Sequence, residues 1–129
     1  MSPNALRAIW RGPFVRTGLL IASIAAWPTI AVLSLVPGED RPNTGMPGRI
    51  EHALAYAIAA FVTRLAFRRI ASRWQALAFS VAAGLFEIGQ IWVPGRNATV
   101  GDWAASTAGA VVGVIVARAI AHLLEPRRG

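Results

Sequence analysis

Four apolar blocks, separated by short connections rich in proline, glycine or arginine, constrain this chain more than any other feature. They cover residues 17–36, 49–67, 74–93 and 102–124, and each approaches the roughly 20 residues that a helix needs to cross a bilayer. The composition agrees: 55% of residues are hydrophobic, 15% are charged and mean hydropathy is +0.50. Soluble domains carry more charge than this. The pattern predicts an all-α membrane protein, a four-transmembrane-helix bundle forming a single domain over residues 1–129.

The first block is uncharged and contains Pro28, which is expected to kink it, as membrane helices tolerate. A cleavable signal peptide is the alternative for this block, with Ser23 and Ala25 as its small residues, but the apolar run continues well past them. Residues 1–13 read as a polar, basic lead with Arg7 and Arg11. Residues 37–48 (PGEDRPNTGMPG) read as a loop. The second block is rich in Ala and Ile and only moderately hydrophobic, which suits a helix that faces protein. Arg68, Arg69 and Arg73 make a basic turn before the third block, and residues 94–101 connect it to the fourth.

All 13 cationic Lys or Arg positions are arginine, and cysteine is absent, so disulfides and thiolate metal sites are excluded. The net charge of +7 does not point to nucleic acid, because the arginines bracket the apolar blocks as topology signals do. Arg7, Arg11, Arg16, Arg64, Arg68, Arg69, Arg73, Arg118, Arg127 and Arg128 fall on one side. Only Arg41, Arg49 and Arg96 fall on the other, among Glu39, Asp40, Glu51 and Asp102. This asymmetry predicts a multi-pass membrane protein with both termini in the cytoplasm.

The stretch EIGQIWVPGRNATVGDWAASTAGAVVG, residues 87–113, concentrates the polar chemistry. Glu87 and Gln90 share a helix face near its end, Val93-Pro94-Gly95 breaks the helix, and Arg96 lies in the connection. Glu87 is deep enough that its carboxylate must be protonated or paired with Arg96, Arg49 or His52. Asp102 opens the last block, either as a helix N-cap or as a site residue. Asp102, Ser106, Gly109 and Gly113 fall on one helix face. The Gly109–Gly113 spacing allows close approach of another helix, expected to be the one carrying Glu87. His52 heads the second block, with Tyr56 one turn below it. Intramembrane ionisable groups are functional candidates by default. The binding candidates are Arg96, Asp102, Gln90, Arg49 and Ser106; Glu87 and His52 are the candidate general bases.

No nucleotide-binding loop, serine-hydrolase elbow or HExxH helix is present. Glu51, His52, Glu87 and Asp102 could offer oxygen and nitrogen ligands to a divalent ion, but their spacing does not require one, so no metal or cofactor is assigned.

The residues RIEH at 49–52, EIGQ at 87–90, PGR at 94–96 and DWAASTAGAVVG at 102–113 resemble the VanZ-like family of small bacterial membrane proteins. The family pattern has an acidic residue and a lysine before its histidine, an ExxQ followed by a GR turn, and an Asp and an Asn before a glycine-rich helix. Those positions correspond to His52, Glu87, Gln90, Arg96 and Asp102. Here Gly48 stands for the acidic residue, Arg49 for the lysine and Ser106 for the asparagine. The resemblance implies a cell-envelope role and a link to glycopeptide (teicoplanin) resistance. The expected partners are membrane lipids and an anionic lipid or cell-wall precursor headgroup. The alternatives are an intramembrane enzyme acting on such a headgroup and a purely structural helix-packing protein.

Overall fold

A computed structural model of the chain describes residues 2–42 and 44–124; the basic tail with Arg127 and Arg128 lies outside the described residues. Five α-helices and no strand are found among the described residues: α1 (Pro3–Arg11), α2 (Pro13–Leu35), α3 (Gly48–Ala66), α4 (Ser72–Gln90) and α5 (Val100–Leu124). A single 3-10 turn, Gly38–Asp40, interrupts the loop after α2.

The first of these helices was not expected from the basic lead. The Ser2 hydroxyl accepts from the Ala5 amide, and a proline follows the cap, which together start a helix. Gly12 and Pro13 then divide it from α2. The Arg68 guanidinium lies 4.3 Å from the Trp10 ring centroid, tying α1 to the turn after α3. Helix α2 starts at Pro13, ahead of the uncharged run, and stays helical through Pro28. Beside that proline the Thr29 hydroxyl bonds the Ala25 carbonyl at 2.8 Å.

The packing reverses the usual soluble arrangement. Many buried positions are small or polar, among them Ala59, Ala60, Ala83, Ala110, Ala117, Ser23, Thr63 and Gln75, with Ile30, Leu65 and Val114 as buried aliphatic residues. Large aliphatic side chains point outward on every long helix, among them Ile21 and Ile24, Ile58, Val81 and Leu85, and Val112 and Ile115. Helices α2 and α5 are both long and apolar enough to cross a bilayer. At 19 residues each, α3 and α4 would be about 28 Å long at 1.5 Å per residue. Two aromatic residues are buried at the centre, Phe79 and Tyr56; Phe79 stacks on Trp27 at 4.5 Å and meets Tyr56 edge-on at 6.3 Å.

Helices α3 and α5 form the closest pair. A Cβ added at Gly109 would overlap the backbone of Ala53, and one at Gly113 would overlap that of Ala57. The glycine face of α5 therefore seats on an alanine face of α3, not on the Glu87 helix as its spacing suggested. Helix α4 takes the neighbouring flank, where the Ser80 and Thr107 hydroxyls are 3.0 Å apart and Trp103 Nε1 donates to the Ser80 carbonyl. Ser23 and Thr63 join α2 to α3 by a buried bond of 2.9 Å.

Candidate functional site

The C-terminal end of α4 and the N-terminal ends of α3 and α5 meet at one end of the bundle, so their terminal residues share a corner. The turn after α4 explains the approach. Val93-Pro94-Gly95-Arg96 closes with the Arg96 amide on the Val93 carbonyl at 3.2 Å, and Gly95 has φ +71°. Proline followed by a positive-φ glycine is the type II turn signature. The Gly38 amide bonds the Pro94 carbonyl at 3.0 Å, and a Cβ at Gly38 would overlap Gly95. The loop after α2 is thereby pinned to this turn.

The cap of α5 is Thr99, not Asp102. The Thr99 hydroxyl accepts the Asp102 amide at 3.0 Å, so Asp102 sits three residues inside the cap. In a capping box the third helical residue would reach back for the cap's own amide. Here Glu87, from another helix, takes the Thr99 N–H on Oε2 at 3.0 Å. That substitution leaves Asp102 free of capping duty and orients Glu87 at the same time.

The result is a convergence of His52 from α3, Glu87 from α4 and Asp102 from α5. One ligating atom from each, an imidazole nitrogen and two carboxylate oxygens, lies within 4.8 Å of the other two. Glu87 is 8% exposed. Among the described residues no arginine or histidine nitrogen lies within 4.0 Å of its carboxylate; the ion pairs present are Arg41–Glu51 and Arg49–Asp102, the latter at 3.5 Å. Three groups that titrate or ligate are thus held together on three rigid helices.

Two of the remaining expected residues bond the end of α2. Gln90 donates to the Ser34 carbonyl at 3.0 Å, and Arg96 NH2 donates to the Leu33 and Ser34 carbonyls at 3.1 and 2.8 Å. Both satisfy the last carbonyls of α2, which a helix end leaves unpaired. Arg49 is exposed and lies across the first turn of α5 at Gly101. Ser106 is buried, one turn on from Asp102. Glu51 does not join the cluster: it holds Arg41 and Thr44, anchoring the loop ahead of α3.

A cleft of about 240 Å³ opens beside the cluster, between α2 and α3. Arg41, Arg96, Thr44 and His52 line it together with Ile30, Leu33 and Leu54. Arg96 Nε is buried without a hydrogen-bond partner. Desolvation, then the Arg41 charge, lowers the Arg96 pKa from its ordinary value, while Glu87 and Asp102 oppose this; an arginine stays cationic through such a shift. Thr99, Arg41 and Thr44 were not among the expected site residues. The T-x-x-D spacing of Thr99 and Asp102 was a readable signal for the first.

Small and polar residues inside, aliphatic residues outside and a charged cluster at one end of the helices define a helical membrane protein. The VanZ/LLP1 family model matches residues 13–122, and the chain belongs to that family. No curated protein and no solved structure matches the chain.

Proposed function

We propose that this protein holds the headgroup of an anionic lipid or lipid-linked cell-wall precursor in the cleft between α2 and α3. In this reading α2–α5 all cross the bacterial cytoplasmic membrane, both termini are cytoplasmic and the cleft opens at the outer face. The arginine distribution along the chain supports that orientation. The observation that carries the ligand class is the amphipathic lining: Arg96 and Arg41, the latter paired to Glu51, line the cleft together with Ile30, Leu33 and Leu54. Arginine pairs phosphate and carboxylate oxygens with several donors at once, and the aliphatic wall suits an acyl or isoprenoid chain. A cell-envelope role, with a bearing on glycopeptide resistance, follows as the cellular setting of that binding.

The test is native mass spectrometry of protein extracted gently from its own membrane, alongside Arg96→Ala and Arg41→Ala. A bound anionic lipid in the wild type, depleted in both folded variants, is expected. Equal lipid occupancy in all three would refute the reading.

The convergence of His52, Glu87 and Asp102 favours a second reading, an intramembrane enzyme in which Glu87 or His52 acts as general base on the same headgroup. It requires a chemically altered lipid that is formed by wild type and not by Glu87→Gln. The packing of Gln90 and Arg96 against the end of α2 supports a structural role for those two side chains, and would favour the purely structural reading if no ligand is captured.

A further inference from the structure

We propose that His52, Glu87 and Asp102 form a binding site for a single divalent first-row transition cation, such as Zn²⁺ or Mn²⁺. This site is independent of the headgroup reading and uses neither Arg41 nor Arg96.

Geometry comes first. The three candidate donor atoms lie within 4.8 Å of one another and come from three different helices. Around an ion with bonds of about 2.0–2.2 Å, neighbouring donors stand roughly 3–3.6 Å apart. Ligation therefore asks for donor–donor distances to shorten by at most about 1–2 Å. His52 makes no hydrogen bond or ion pair among the described residues, so its imidazole is available.

Charge makes the same case. A buried carboxylate needs a cation, a metal or a proton. Glu87 is 8% exposed, and its recorded partner is the neutral Thr99 amide. Bringing Asp102 beside it concentrates a second negative charge, which the exposed Arg49 meets only at 3.5 Å. Arg49 offsets part of the Asp102 charge, and Arg96 acts on both carboxylates from a distance. No cation touches Glu87 within 4.0 Å among the described residues, however, and a divalent ion between the two carboxylates would supply that contact.

The surroundings also resemble those of metal ligands. Ligating carboxylates are usually held by hydrogen bonds from a second layer of groups. Thr99 N–H holds Glu87 and Arg49 Nε approaches Asp102. The donor set chooses the ion class: imidazole with carboxylates suits zinc, iron or manganese, while calcium and magnesium favour all-oxygen cages. Three protein ligands leave at least one coordination position open, as in sites that admit water or a ligand oxygen. His52 also lines the cleft, so the open position has a route to it.

The experiment uses the full chain, purified without a histidine tag, stripped with chelator in detergent and free of added lipid. Zn²⁺ binding is measured by titration calorimetry and by metal content after dialysis. Mn²⁺ binding is followed by electron paramagnetic resonance. One equivalent per chain is expected for wild type. His52→Gln and Glu87→Gln should each weaken binding by at least about 10- to 100-fold, the range seen when even outer-layer groups are lost. Glu51→Gln, one residue from His52 but outside the cluster, should bind like wild type, which separates ligand loss from misfolding of the α3 N-terminus. Failure of the folded wild type to bind either ion, or equal binding by the His52→Gln/Glu87→Gln double variant, overturns the site. Because no lipid is present, that failure leaves the Arg96-dependent capture experiment as a separate question.

Discussion

Replacing Gly109 with alanine should destabilise the protein more than any other single methyl addition on α5. A Cβ built there meets the Ala53 backbone, at 2.8 Å from Cα and 2.7 Å from the carbonyl carbon. Carbon atoms pack comfortably at about 3.5–4.0 Å, so the two helices must separate by roughly an ångström. No side-chain rotation relieves the clash, because the obstructing atoms are backbone. Overpacking of this kind costs about 1–3 kcal/mol. Alanine's better helix propensity returns at most about 1 kcal/mol, so a net loss of up to about 2 kcal/mol is expected, and a gap of about 1–3 kcal/mol from a glycine-to-alanine change that meets no clash. Gly18 is the matched control: nothing lies within 4 Å of a Cβ there, and Gly18→Ala should be neutral or slightly stabilising. Thermal unfolding in detergent, with helix content followed by circular dichroism, compares the two. The separation also moves Ala53, and with it His52, away from Asp102, so Zn²⁺ affinity should fall in parallel. A Gly109→Ala protein as stable as Gly18→Ala would refute the backbone-contact account of the α3–α5 seam.

Two further substitutions test the supports of the site and the core. Thr99→Val removes the hydroxyl that caps α5 while keeping the amide that Glu87 accepts; it should cost about 1 kcal/mol in thermal unfolding, and Thr99→Ser should recover most of it. Phe79→Ala empties a position only 1% exposed that stacks on Trp27 and abuts Tyr56; a loss of about 3–5 kcal/mol is expected, read as a much lower unfolding midpoint and faster proteolysis.

The helical class was legible because long runs without charge allow few other structures. The chemistry was legible in part, because ionisable residues in such runs are rare enough to stand out. His52, Glu87 and Asp102 could be singled out, but their meeting could not: it depends on how three helix ends are placed, and no local pattern encodes that. The spacing of Gly109 and Gly113 showed that one face of α5 is narrow. It did not show which helix that face meets, since Ala53 and Ala57 look like ordinary alanines until α3 is set against it. The bonds of Gln90 and Arg96 were not legible for a related reason. Their partners are backbone carbonyls at Leu33 and Ser34, more than fifty residues away, and every residue has a carbonyl. By contrast, α1 and the Thr99 cap carry local signals, Ser2-Pro3 and T-x-x-D.

The glycine and alanine seam between α3 and α5 also has an entropic consequence. Glycine and alanine have no rotamers to freeze, so ordering their side chains on association costs nothing, whereas a long flexible side chain forfeits up to about 2 kcal/mol. Two helices joined through Gly109, Gly113, Ala53 and Ala57 lose little disorder beyond that of the helices themselves. The separation between the helix carrying His52 and the helix carrying Asp102 is therefore set by a contact with almost no internal freedom, and thermal motion of side chains has little means to blur it.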